Sequence, residues 1–185
     1  VNAENDGFDS IWFGQIFGPD VLTVLALAGQ KTSRIELGTS VVPTYPRHPH
    51  ALAAQALTVQ AASNGRFNLG IGLSHGPVVE GMWGLPFDKP VRRMREYLEA
   101  LVPLLAGENP HYGGETVTAR GGLDVRADAP PVLVAALGPQ MLAVTGRLAD
   151  GTVTWMTGAK TIADLTAPTI RAAAEEAGRP EPRVV

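Results

Sequence analysis

The chain has 185 residues, of which 45% are hydrophobic and 18% are charged, a balance that excludes disordered and fibrous proteins. Its net charge of −3 is spread along the chain without a basic cluster, so neither nucleic acid nor a membrane surface is an expected partner. No cysteine, signal peptide or run of eighteen apolar residues occurs, which excludes disulfides and thiolate metal ligands and predicts a cytoplasmic protein.

Short apolar runs alternate with segments of helical periodicity along the chain. The predicted strands cover residues 8–14, 35–42, 66–73, 131–137 and 151–157, and a further strand begins at 184. Helices are predicted at 21–28, 51–62, 91–106, 138–149 and 161–177. The segment 107–130 is rich in glycine and proline and predicts an insert with a small hairpin that covers one end of the fold.

Several predicted strands are apolar without alternation, which is typical of parallel strands covered on both faces. The chain is therefore predicted to form one α/β domain over residues 1–185. Two architectures fit this pattern: an open doubly wound sheet, and a (β/α)8 barrel that lacks its first strand and its last one or two. The sequence is interpreted as incomplete at both ends.

In both architectures ligands bind at the carboxyl ends of the strands. Here those positions carry small residues, hydroxyls, amides and one histidine, with almost no carboxylates. Paired-carboxylate hydrolysis and a hard-metal site are therefore not expected. His48 and His50 do not share a helical face, so no metal site is predicted from them.

Two glycine-containing segments invite a phosphate-binding interpretation. Gly70 and Gly72 follow a strand in G-x-G spacing, but the third glycine of the dinucleotide fingerprint is replaced by His75. Gly138 and Pro139 place free backbone N–H groups at a helix start, which predicts either a phosphate site or an ordinary strand-to-helix turn.

Several ordered segments resemble the luciferase-like monooxygenase family, and within it the actinobacterial branch that depends on the deazaflavin coenzyme F420. The resemblance extends from Gly7 to Gly178 and rests on LGTSVVPTYPRHPHALAAQALTVQAASNGRFNLGIGLSH, VVEGMWG and VLVAALGP…GRLADGTVTWM. It implies a (β/α)8 TIM barrel, of which the chain holds strands two to six and the start of strand seven.

The resemblance also implies where the cofactor lies. A bulge with a non-prolyl cis peptide is expected behind the deazaflavin ring, with Ser40–Val41 as the candidate bond. The remaining segments are expected to hold the ribityl-phosphate tail. The implied cofactor-binding residues are Thr39, Ser40, Val41, Leu73, Ser74, His75, Ala136, Leu137, Gly138, Pro139 and Gln140.

The implied activity is hydride transfer between F420 and a small organic substrate, in a protein that forms a homodimer at full length. His75 is the candidate for proton transfer or hydrogen bonding near the substrate, and Gln15, which cannot act as a general acid, is expected to orient a carbonyl or the ring. Trp83 and Trp155 are candidates for the substrate cavity, and Arg47 for cofactor or subunit contact. Two alternatives are an FMN-dependent monooxygenase and a non-catalytic flavin-binding barrel.

Overall fold

Helices and strands alternate in the order that the apolar runs predict. The computed structural model describes residues 1–185. The strands are β1 (Ser10–Phe13), β2 (Glu36–Thr39), β3 (Val42–Pro43), β4 (Phe67–Gly72), β5 (His111–Gly113), β6 (Thr118–Arg120), β7 (Val132–Ala135), β8 (Gly151–Val153) and β9 (Arg183–Val184). The helices are α1 (Asn2–Asn5), α2 (Val21–Gly29), α3 (Pro49–Ala62), α4 (Gly76–Gly81), α5 (Pro90–Leu105), α6 (Pro139–Leu148), α7 (Ala159–Thr161) and α8 (Ala167–Glu176), with a π-helical turn at Ile162–Thr166.

Seven strands form one parallel sheet in the order β1-β2-β4-β7-β8-β9, and β3 pairs with the carboxyl-terminal part of β4. The sheet is curled, and one contact between distant strands shows this: Arg183 on β9 donates a hydrogen bond of 2.8 Å to Glu36 on β2. The Arg183 guanidinium also lies 5.6 Å from the ring centroid of Trp12 on β1. Strands at the two ends of the sheet therefore meet across its concave side, which makes the fold a curled half-barrel rather than an open doubly wound sheet.

The core lies between the convex side of the sheet and the helices. Leu37, Phe67, Leu69, Ile71 and Val134 point to this side and are at most 1% exposed. The helices contribute their own apolar faces, including Leu22, Leu25, Leu52, Leu57, Leu98, Leu101 and Leu142. Burial of this apolar surface is the main source of stability for the α/β layer.

The concave side carries small residues that let larger ones fit. Trp12 lies over Gly38 on the neighbouring strand, where a Cβ atom would overlap the indole ring. Its indole nitrogen donates to the Ser10 hydroxyl at 3.1 Å. Trp12 is therefore an interior packing residue of the sheet.

Three expectations for the elements are corrected. The single strand predicted at 35–42 is two strands, β2 and β3, because the chain departs from the sheet at Ser40 and Val41. The strand predicted at 151–157 ends at Val153. The helix predicted at 161–177 includes a π-helical turn. Helix α4, which follows Pro77, has no counterpart among the predicted elements.

The insert at 107–130 contains an antiparallel hairpin of β5 and β6. It packs against the outer side of α5, where buried Glu96 accepts hydrogen bonds from the N–H groups of Thr116 (2.7 Å) and Val117 (3.2 Å). His48, at the start of α3, bonds the Thr118 carbonyl oxygen at 2.8 Å. The insert therefore contacts both α5 and the start of α3, and the expectation that it covers one end of the fold stays a prediction. None of the helices combines the length and apolar character needed to cross a membrane.

Candidate functional site

Parallel pairing brings the carboxyl ends of the strands to one edge of the curled sheet. The segments that follow β1, β2, β4, β7 and β8 form a surface that we call the mouth, made of residues 13–18, 40–41, 73–76, 136–140 and 154–158. Every cofactor residue implied by the sequence except Thr39 lies in the mouth. The mouth contains one histidine and no aspartate, glutamate, lysine or arginine.

The Thr39 side chain fixes the point at which β2 leaves the sheet. It is fully buried, and its hydroxyl donates to the Gly70 carbonyl oxygen at 2.7 Å and accepts from the Gly70 N–H at 2.8 Å. A Cβ atom on Gly70 would overlap the Thr39 carbonyl oxygen, so only glycine allows this approach. Thr39 is therefore a positioning residue whose hydroxyl is already fully used within the protein.

Ser40 and Val41 form the bulge between β2 and β3. The Ser40–Val41 peptide is cis, as the resemblance predicts. The Ser40 N–H donates to the Phe13 carbonyl oxygen at 2.8 Å, and the Val41 carbonyl oxygen accepts from the Gln15 N–H at 3.2 Å. The bulge is thus bonded to the segment that follows β1, and together they form one wall of the mouth.

The Gln15 side chain is directed toward helix α2. Its Oε1 atom accepts a hydrogen bond of 2.8 Å from the Val21 N–H, one of the first N–H groups of that helix. The amide group therefore retains both of its N–H donors for another partner. Gln15 can orient an acceptor such as a carbonyl oxygen, and it cannot take up a proton.

Leu73, Ser74 and His75 connect β4 to α4. Leu73 is buried, whereas the His75 side chain is exposed and makes no hydrogen bond within the protein. Ser74 has a φ angle of +65°, a backbone conformation that costs a non-glycine residue free energy. Such strain occurs most often where function requires a particular loop geometry.

Residues 136–140 lead from β7 into α6. Ala136 is 1% exposed and its side chain packs in the helical core, so only its backbone can serve a ligand. Leu137 is 60% exposed, and Gly138, Pro139 and Gln140 are exposed at the helix start. No side chain caps this helix, so its first N–H groups face outward as an anion-binding end.

Six of the twelve large apolar side chains that are exposed lie in the mouth, and sequence reasoning missed most of them. Trp155 is 65% exposed and Met156 is 90% exposed at the end of β8. Trp83, in contrast, is half-buried and packs against the core. The exposed apolar residues of the mouth are Phe13, Ile16, Phe17, Leu137, Trp155 and Met156. A patch of this kind marks a surface that binds a ligand or another apolar partner.

The nearest ion pair flanks the mouth and is already satisfied. Arg47 donates to Asp20, the residue that caps α2, at 2.8 Å, and its expected contact with a cofactor or a neighbouring subunit stays a prediction. Burial acts to raise the pKa of Asp20, but hydrogen bonds from Thr23 and the Arg47 guanidinium outweigh it and lower the pKa. No cluster of three or more potential metal-ligating side chains occurs in the structure.

The curled sheet of parallel strands, with helices on its convex side, makes this an α/β protein of the half-barrel type. The model of the luciferase-like monooxygenase family matches residues 1–185, and the chain belongs to this family.

Two individual relatives are similar to this chain over most of its length. A Mycobacterium tuberculosis protein, whose name assigns it provisionally to the coenzyme F420-dependent oxidoreductases, is 38% identical over 165 residues, covering 80% of this chain and 47% of that protein. The 5,10-methylenetetrahydromethanopterin reductase of Archaeoglobus fulgidus is 33% identical over 151 residues, covering 80% of this chain and 45% of that protein. The chain thus spans about half the length of these relatives.

Among solved structures, the coenzyme F420 dependent tetrahydromethanopterin reductase from Methanopyrus kandleri superimposes with a TM-score of 0.83 and 30% identity. The match covers 98% of this chain and 58% of that protein. The curled sheet described above is therefore the same arrangement as in a solved member of the F420-dependent reductases.

Proposed function

We propose that the protein is an oxidoreductase that transfers a hydride between coenzyme F420 and a small organic substrate at the mouth. The observation that carries the proposal is the uncharged, apolar mouth beside the open N-terminus of α6. Apolar side chains suit a flat aromatic ring system, and free helical N–H groups suit a phosphate. Because FMN shares both features, the choice of F420 is supported by the F420-dependent relatives.

The residues of the mouth fit such a cofactor. Phe17, Leu137 and Trp155 offer exposed apolar surface for the ring, and the bulge at Ser40–Val41 forms the wall behind it. The phosphate would be held by the backbone N–H groups of Gly138 and Gln140 and by the Ser74 hydroxyl, which makes no hydrogen bond within the protein. When bound, the cofactor supplies the hydride chemistry.

The chain contributes binding, orientation and proton handling. The apolar side chains exclude water from the substrate, which strengthens polar contacts at the reacting group. Gln15 directs its N–H donors toward a carbonyl oxygen, and the exposed His75 imidazole donates or accepts a proton at the substrate oxygen. The absence of carboxylates from the mouth makes His75 its only titratable side chain.

The proposal is tested by fluorescence titration of the full-length protein with F420 and with FMN side by side. Tighter binding of F420, together with F420-dependent turnover of a carbonyl or alcohol substrate, is the expected result. Tighter binding of FMN would replace the proposal with a monooxygenase function. Binding of F420 without turnover of any substrate would indicate a non-catalytic carrier, and binding of neither cofactor would refute the site.

A matched pair of variants tests whether the phosphate of the cofactor binds at the N-terminus of α6. Gln140→Glu places a negative charge in the first turn of α6, where it favours the helix but repels a phosphate, and we expect F420 affinity to fall about fivefold with no loss of thermal stability. Gln55→Glu makes the same change on the exposed side of α3 and serves as the control. Equal affinity of the two variants would exclude α6 as the phosphate site.

A further inference from the structure

A second cavity lies apart from the mouth, between the loop that follows β3, helix α5 and the hairpin insert. Its volume is about 220 Å³, and it shares no residue with the mouth. The polar residues that line it are Tyr45, Arg47, His48, Arg93, Tyr97, Thr116 and Thr118. Neither the family comparison nor the proposed function assigns it a role.

Two buried polar atoms at this cavity have no hydrogen-bond partner in the protein. They are the Tyr45 hydroxyl oxygen and the Arg93 Nε atom. Tyr45 is 6% exposed, and the Arg93 guanidinium lies 4.2 Å from the centroid of its ring, so the two groups share one corner of the cavity. A buried donor without an acceptor costs free energy, which an acceptor supplied by a ligand would recover.

The side chains that line the cavity offer more unused hydrogen-bond donors than acceptors. Arg93 donates to the Thr116 carbonyl oxygen at 3.2 Å but forms no ion pair with a carboxylate. Arg47 bonds Asp20 through one Nη atom and retains its other N–H groups. Glu80 and Asp88 act on Tyr45 electrostatically, yet neither lines the cavity.

The walls of the cavity are held in place by bonds that do not involve a ligand. The Glu96 carboxylate binds Thr116, and His48 binds the Thr118 carbonyl oxygen, so the hairpin side is fixed. The Tyr97 hydroxyl donates to the Arg47 carbonyl oxygen at 2.9 Å, which fixes the loop side. Because these walls are already ordered, a ligand binds to the cavity without a large free-energy cost for reorganising them.

We propose that this cavity binds the oxyanion of a small molecule, either a phosphate or a carboxylate group. Arg93 supplies the positive charge, Arg47, whose charge is paired with Asp20, adds N–H donors, and the Tyr45 hydroxyl supplies a neutral donor that is otherwise unused. Guanidinium groups match both anions through paired N–H donors, so phosphate and carboxylate share one recognition chemistry here.

The test is isothermal titration of the full-length protein with sodium phosphate and, separately, with sodium succinate, against sodium chloride at equal ionic strength. We expect saturable binding of one of the two anions, which identifies the class of ligand. Tyr45→Phe and Arg93→Gln should each weaken that binding about tenfold or more, because each removes a donor to a charged group.

Two controls separate this site from other sources of anion binding. Arg92→Gln removes a neighbouring exposed arginine of the same helix, which is paired with Glu115, and should leave the affinity unchanged. Gln140→Glu changes the charge of the mouth and should also leave the affinity of the cavity for the anion unchanged. Tyr45→Phe is expected to fold normally and to keep its melting temperature, since the lost hydroxyl has no partner in the protein.

Three results would overturn the proposal. If neither anion binds saturably, the cavity holds only water. If Arg92→Gln weakens binding as much as Arg93→Gln, the effect is general charge screening. If Gln140→Glu weakens binding and Tyr45→Phe does not, the anion binds at the mouth. Should Arg93→Gln fail to fold, the Tyr45→Phe result decides the question alone.

Discussion

The hydroxyl of Thr39 is predicted to be the most stabilising single polar group beside the mouth, and Thr39→Val tests this. Valine preserves the shape but leaves the Gly70 N–H and carbonyl groups without their partner at a fully buried position. Each unpaired buried backbone group costs about 1–3 kcal/mol, so for two groups we expect the free energy of unfolding to fall by about 2–6 kcal/mol.

Thr44→Val is the matched control. Thr44 is also fully buried, but its hydroxyl has no hydrogen-bond partner, so the same substitution removes a group whose burial is unfavourable. We expect this variant to be unchanged or stabilised by up to about 1 kcal/mol. Thr39→Ser, which keeps the hydroxyl, should recover most of the stability lost in Thr39→Val.

The assay is urea unfolding of the full-length variants, followed by circular dichroism and analysed by linear extrapolation. Thr39→Val should also weaken F420 binding, because the bulge that it supports forms a wall of the mouth. Equal unfolding free energies for Thr39→Val and Thr44→Val, to within about 0.5 kcal/mol, would show that the Thr39 hydroxyl does not hold β2 against β4.

Two further predictions concern the scaffold. Gly70→Ala should yield an unfolded or aggregated protein in expression and melting assays, because its Cβ would overlap the Thr39 carbonyl oxygen. Gly113→Ala, whose Cβ would meet no atom within 4 Å, should melt like the parent protein. Similar melting temperatures for the two variants would contradict the close packing at Gly70. The backbone N–H groups of Ile35 and Arg34 lower the pKa of Glu4 from 4.5 to about 2, against the opposing effect of burial. The stabilisation by Glu4 is therefore complete above about pH 4.5 and is lost as the pH falls toward 2, and Glu4→Gln should flatten the melting temperature across this interval; an unchanged slope would refute the assignment.

The order of elements was predictable because local signals dominate it. Apolar runs closed by glycine or proline marked the strands, and Pro49, Pro90 and Pro139 each occupy the first turn of a helix, where proline is favoured. The curl of the sheet was not contained in these signals. It follows from the twist and pairing of strands that are far apart in sequence, and it brings together residues such as Arg183 and Glu36, which are 147 positions apart.

The division of the strand predicted at 35–42 shows why local propensity fails near the site. Residues 39–42 are hydroxyl-bearing or β-branched and favour a continuous strand. The chain leaves the sheet there because a distant residue, Gly70, exchanges its hydrogen bonds with the Thr39 side chain, and because Ser40 bonds to Phe13. The strand-end rule placed residues 39–43 among the candidate ligand-binding segments, whereas the cis peptide within them was implied only by the resemblance to a family.

Positions of the site residues were predicted better than the directions of their side chains. Gln15 lies at the mouth, as expected, but its Oε1 atom is used by helix α2. Ala136 also lies at the expected strand end, yet its side chain belongs to the core. A residue's position along a strand end follows from the pattern, whereas the partner of its side chain depends on neighbouring elements that sequence spacing does not specify.

The apolar surface of the mouth could have been found from the sequence by a stricter use of the same pattern. Residues between a strand end and the next helix are normally polar, because they face solvent. Here the segments FGQIFG and TWMTG place phenylalanine, isoleucine, tryptophan and methionine at those positions. Such residues would be unfavourable in a solvated loop, so their presence at the carboxyl ends of two strands predicts a surface for an apolar ligand, as the proposed function requires.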